Sequence, residues 1–146
     1  MNIQDIGKRL QKLSRVTGTN FAMGIPTSRD AISHAEQRLN VLFPEQIKIF
    51  YSNINGLKVE DPKLEIFPIE NVEKSSEDRL IFAILAGAHP LYFDLSRTNE
   101  ANQWDIVAED GFVVTKTMAS FWSNKIWAWV ERRRSILEEI DDQPTG

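Results

Sequence analysis

Any chemistry in this chain has to come from histidines, hydroxyls and carboxylates, because its 146 residues include no cysteine. That removes thiol nucleophiles, thiolate zinc sites, iron–sulfur clusters and disulfides together, and it fits a reducing compartment, by default the cytoplasm. The two histidines are His34 and His89. A catalytic histidine needs a nucleophile or a substrate proton within reach, and a group that orients the ring. His34 falls on a helical stretch beside Glu36 and Gln37 and reads as a solvent-facing side chain. His89 lies in Gly87-Ala88-His89-Pro90 with Asp94 and Ser96 after it, the residue types of a hydrolytic triad, but proximity along the chain does not supply triad geometry. Neither histidine has the H-x-x-x-H spacing of a metal pair. The acids Glu60 and Asp61 run into Pro62 rather than into a calcium loop, and Gly87 stands alone where a phosphate cradle would need several glycines. With 21 acidic residues some carboxylate pair is guaranteed, so a pair alone is no argument for glycoside chemistry. No catalytic residue, metal site or cofactor is expected.

Charge is more informative in its distribution than in its total of −4. Residues 1–59 carry 8 Lys and Arg against 4 Asp and Glu, residues 60–110 carry 4 against 12, and residues 111–146 carry 5 against 5. A strongly acidic middle third works against nucleic-acid binding, which relies on clustered cations that displace counterions from phosphates. It suits a basic protein partner, and the acids placed in loops or at strand ends, Glu60, Asp61, Glu73, Glu77, Asp78, Glu100 and Asp105, are the candidate contacts. The opening MNIQDIGKRLQKLSRV is charged throughout, so neither a cleavable signal nor a membrane span is expected.

The elements that must hold these residues follow from hydrophobic period. Ile3, Ile6, Leu10, Leu13 and Val16 recur at helical spacing, with Lys8, Arg9, Lys12 and Arg15 on the far side. Thr27-Ser28-Arg29-Asp30 reads as a helix start, with Ile32, Ala35 and Leu39 inward. Pro44 opens a third helix, Ile47, Phe50 and Tyr51 form its buried stripe, and Gly56 after Asn55 is its left-handed stop. Strands are expected at 64–67, 80–85, 91–95, 104–108 and 112–115, too closely spaced after residue 80 for crossover helices and therefore antiparallel. Residues 70–78 read as a polar loop or helical turn. A long final helix starts near Met118, with Phe121, Trp122, Ile126, Trp129, Val130, Ile136, Leu137 and Ile140 on its apolar side. Residues 141–146 read as a frayed tail. Trp122 and Trp129 are placed in the core. Trp104, which opens a strand, and Trp127, which falls off the stripe, are the candidate exposed anchors for a partner, with packing beneath the N-terminal helix or a loop as the alternative.

The succession Ile32, Ala35-Glu36, Leu39, Phe43-Pro44, Ile47, Phe50 and Asn55-Gly56 resembles the opening signature of the SUKH superfamily, which groups fungal cell-wall-synthesis regulators with many bacterial immunity proteins. Ile81-Phe82-Ala83, Leu91-Tyr92-Phe93-Asp94-Leu95 and Ala119-Ser120-Phe121 resemble its central strands and the start of its last helix. The similarity spans about residues 27–130 of a single domain covering 1–146. Asn40 stands where many members carry glycine. The resemblance implies an α+β binding domain: a mostly antiparallel sheet of about five strands, flanked by N-terminal helices and a long C-terminal helix. It implies no catalysis. Its expected role is an immunity protein that neutralises a cognate toxin, often a nuclease, by binding it; the alternative is an intracellular regulatory or scaffolding module that binds a cellular protein.

Overall fold

The computed structural model describes residues 2–137. The expected tail at 141–146, and Ile140 of the expected final helix, lie outside the described residues. The chain opens with a single 3₁₀ turn, Ile3–Asp5, and runs into α1, Ile6–Thr17, which buries Ile6, Leu10 and Leu13. Gly18 stops α1 in the left-handed region, φ 77°, donating its N–H to the Ser14 carbonyl at 2.8 Å. Val16 departs from the expected stripe and is 76% exposed. In α2, Arg29–Leu39, Ser28 is the N-cap and accepts from the Ala31 N–H, while Ile32, Ala35 and Leu39 point inward as expected. Asn40 caps its C-terminus at φ 57°, so it adopts the left-handed conformation that glycine would take most readily. Pro44 precedes α3, Glu45–Asn53, where it leaves no backbone donor unpaired.

Gly56 does not stop α3, which ends at Asn53. It sits at φ 94° where a Cβ would meet the Ile66 carbonyl oxygen and the Pro68 nitrogen at 2.9 Å, so its lack of a side chain lets two backbone segments cross.

Among the described residues the sheet has eight antiparallel strands rather than about five: β1 (Phe21–Met23), β2 (Leu57–Glu60), β3 (Lys63–Ile66), β4 (Glu73–Ser76), β5 (Arg79–Leu85), β6 (His89–Asp94), β7 (Ile106–Ala108) and β8 (Val113–Thr115). Their order is β1-β2-β3-β5-β6-β7-β8, with β4 beside the first half of β5 and β3 beside its second half. The expected loop at 70–78 is thus a 3₁₀ turn followed by β4. All four β4 residues are exposed, so backbone pairing with β5 holds the strand in the sheet rather than an apolar face.

One face of the sheet meets the helices. Phe82 and Phe93 stack there at 3.9 Å between ring centroids, and Phe121 approaches Phe82 edge-on at 5.7 Å. Across the opposite face Arg79 lies over the Tyr92 ring and donates to the Glu109 carbonyl at 3.0 Å.

The last helix, α4, spans 118–130 and is shorter than expected. It begins as an α-turn, Met118–Ser120, passes through a π-helical segment, Phe121–Lys125, and resumes as an α-helix, Ile126–Val130. A π segment inserts one residue into the helical repeat and rotates everything after it. Trp127 is thereby brought fully into the core, and Trp129 is left half-buried with its indole N–H on the Lys63 carbonyl at 3.1 Å. The placing of Trp127 off the stripe and of Trp129 in the core is corrected by this shift. After Val130, Arg133 takes φ 57° and its guanidinium reaches Asp61 at 3.0 Å, turning the chain away from the helix axis.

Candidate functional site

The expected acidic contacts do not form one patch. Glu60 and Asp61 belong to the turn between β2 and β3, which lies where β5 ends, since Ala86 donates its N–H to the Lys63 carbonyl at 2.8 Å. Glu77 and Asp78 form the turn where β5 begins. Seven residues of extended strand separate the two turns, roughly 20 Å at the usual rise. At the first end Asp61 is engaged by Arg133, and its carbonyl accepts from Thr19 Oγ1 at 3.0 Å. At the second end Glu73, Glu77 and Asp78 are exposed and make no ion pair among the described residues.

The second end is built by two connected segments. Leu95 donates its N–H to the Asp78 carbonyl at 2.7 Å, which ties the β4–β5 turn to the long connection between β6 and β7, residues 95–105. That connection is organised around Asn99, which is buried. The Asn99 side-chain carbonyl accepts from the N–H groups of Ala101 (2.9 Å) and Gln103 (3.2 Å). Its amide donates to Asp105 Oδ1 and to the Lys116 carbonyl, both at 2.8 Å. A single side chain therefore satisfies the backbone of its own loop and joins it to β8's end.

Three expected contacts are corrected here. Asp105 is 5% exposed and spends its carboxylate on Asn99 and Arg97, so it holds the loop from inside rather than facing a partner. Trp104 is 9% exposed, edge-on to Phe43 at 6.1 Å and against Phe93 at 6.1 Å. Trp127 is fully buried beneath Arg9 of α1, whose guanidinium lies 4.3 Å from the ring centroid. Both tryptophans pack under other elements, as the alternative reading had it. Glu100 is exposed but paired with Lys116 at 2.7 Å, and that bond holds its carboxyl below the usual carboxylate range. Asn99 is not picked out by apolar spacing or charge; the one hint in the sequence is its residue type, since an asparagine in a loop favours bonding to the backbone two residues on, as it does here to Ala101.

The triad drawn on His89, Asp94 and Ser96 does not assemble. His89 opens β6 and Asp94 closes it, about 16 Å apart along an extended strand. His34 is exposed on α2. Among the described residues no group of three or more His, Asp or Glu side chains is placed to hold a metal ion, and no helix is long and apolar enough to cross a membrane.

Helices α2 and α3, strands β2 to β8 and the first turns of α4 all fall within residues 26–124, the span matched by the family model for the SMI1 / KNR4 family (SUKH-1). The chain belongs to that family. The SUKH-1 match starts just before the α2 cap at Ser28 and ends inside the π segment at Asn124, close to the span of about 27–130 expected from the motifs. α1, β1 and the residues after 124 lie outside it. The SUKH-1 family includes immunity proteins and SMI1/KNR4 regulators. No curated protein matches the chain.

Proposed function

We propose that this SUKH-1 domain is a non-catalytic binding protein of the cytoplasm that acts as an immunity protein. It neutralises a cognate bacterial toxin, a basic domain such as a nuclease, by direct binding at the sheet end formed by the β4–β5 turn and residues 95–105. One observation carries the reading: the acids Glu77 and Asp78, without an ion pair among the described residues, stand on a turn fastened to a loop in which buried Asn99 satisfies two backbone amides, and Glu73 is exposed on the strand that leads into that turn. A surface ordered before encounter loses little conformational freedom on binding, and free carboxylates attract a cationic partner and repel acidic ones.

The partner to test is any toxin module that an adjacent reading frame encodes, expressed in a bacterial host with and without this chain. Protection of the host, with association that slows steeply as salt rises, is the expected result. The Glu77→Lys, Asp78→Lys double variant should lower the association rate about tenfold with an unchanged melting temperature. A salt-independent rate that ignores this variant would move the interface away from the acidic end. Recovery of a cellular protein instead of a toxin would favour the regulatory role that other SUKH-1 members have.

A further inference from the structure

On the far edge of the sheet from β1, the geometry points to a second binding surface: the groove between β8 and α4 receives an extended acidic peptide segment of a partner protein, which adds to the sheet as a ninth strand. β8 ends the strand order, so its outward edge has no strand neighbour among the described residues. Alongside it runs a groove of ≈ 450 Å³ floored by Phe112, Val114 and Ile136. Across from the strand stand Lys125, Arg132 and Arg134, and among the described residues no acid lines the groove, on a molecule whose formal charge is −4. Lys125 and Arg134 make no ion pair or side-chain hydrogen bond among the described residues. Arg132 has only a 3.4 Å bond to the Asn124 carbonyl and a 3.9 Å approach to Glu131.

The placement of the cations decides what they do. Proteins commonly guard a bare edge with a charge on the edge strand itself. β8 is Val113-Val114-Thr115 and carries none, and the next residue, Lys116, is engaged by Glu100. The three cations sit across the groove and not on the edge strand, so they leave the β8 backbone open, and their long side chains can reach over to the side chains of an added strand. An extended peptide would bond to the β8 backbone, lay one set of side chains on the apolar floor and offer the other set to the cations. Acidic side chains at those alternate positions are what the wall selects. A nucleic acid would leave the strand's N–H groups without regularly spaced partners and would find no exposed ring on which to stack.

The test uses the full chain and a fluorescein-labelled peptide, acetyl-Thr-Glu-Val-Glu-Val-Glu-Thr-amide, with three controls. These are the same peptide with Lys for Glu, the acidic peptide N-methylated at alternate residues, and a single-stranded DNA hexamer. Saturable binding of the acidic peptide is expected, at least tenfold weaker for the Lys peptide and for the N-methylated one. The Lys125→Glu, Arg134→Glu double variant should weaken it at least tenfold with an unchanged melting temperature, because neither side chain has a partner to lose. Glu77→Lys with Asp78→Lys should leave it unchanged, which separates this groove from the acidic end. Equal binding of the two charge types, or no effect of N-methylation, overturns the proposal. So does tighter binding of the DNA, or a concentration-dependent dimer of the chain that Arg134→Glu dissociates.

Discussion

Two buried regions of this domain are held by opposite means. Where α1 meets α4, Trp127 is fully enclosed, Arg9 lies over its ring and bonds Glu131, and the indole nitrogen has no hydrogen-bond partner among the described residues. In the 95–105 connection the buried polar residues are Asn99, Gln103 and Asp105: the Asn99 side chain and the Asp105 carboxylate are spent on neighbours, while the Gln103 side-chain carbonyl has no hydrogen-bond partner among the described residues. The junction tolerates an unpaired N–H because the area of a large ring outweighs it. The loop brings the Trp104 ring against Phe43 and Phe93, but its own path is set by the hydrogen bonds gathered at Asn99, which contribute less stability but fix one shape. Packing sits where two helices must be joined, and a polar hub sits where an exposed surface must be presented.

The largest test of that contrast is at the tryptophans. Trp127→Ala should lower unfolding stability by ~3–5 kcal/mol, the range for emptying a large core site. Trp129→Ala, at a half-buried ring, should cost ~1–2 kcal/mol. Urea denaturation of both variants reads the difference directly. Equal losses would mean that the π segment does not set which ring the core receives, and the junction would then not be the packing-dominated region described.

How far these regions were legible in the sequence follows from the same physics. α1, α2, α3 and the strands from β5 to β7 announce themselves through apolar spacing, because each has one face against the core. β4 does not, since Glu73-Lys74-Ser75-Ser76 contributes only backbone to the sheet. β1 and β2 were missed for a different reason: three and four residues beside Gly18, Gly24 and Gly56 look like loop until the pairing is known. Trp127 was misplaced because a helical wheel assumes a constant repeat and Phe121–Lys125 breaks it. The acidic middle third was visible as a count, but a count cannot show that Asp61 and Asp78 lie at opposite ends of β5. Asp105 and Glu100 are both acids of one loop, and only the fold turns one inward.

The polar hub gives the next test. Asn99→Ala removes four hydrogen bonds and leaves the Asp105 carboxylate and two loop amides short of partners. The expected loss is ~2 kcal/mol, below that of Trp127→Ala despite equal burial class, because the loop can open to water and recover part of the cost. Hydrogen exchange should show the reason: the Ala101 and Gln103 amides exchange faster in the variant while those of β5 and β6 do not change. Faster exchange throughout the sheet would make Asn99 part of the core rather than the organiser of one loop.

The smallest effect concerns the rim of that loop. Lys116 holds the Glu100 carboxyl below its usual range in the folded chain, whereas in the unfolded chain it titrates near the ordinary glutamate value of about 4.3. A carboxyl whose pKa is depressed by folding stabilises the fold above its unfolded pKa, and that contribution disappears as pH falls through the folded value. The pair is fully open to solvent, so side-chain entropy and screening leave it little to contribute. Glu100→Gln should therefore unfold at a slightly lower temperature than the parent near pH 7, and the two curves should merge as pH falls through the folded value. Salt at about 1 M should merge them at neutral pH as well, because it shortens the reach of exposed charges. A gap that survived both acid and salt would show that Glu100 supports the loop through packing, and the rim would then belong with the hub beneath it rather than with the solvated surface.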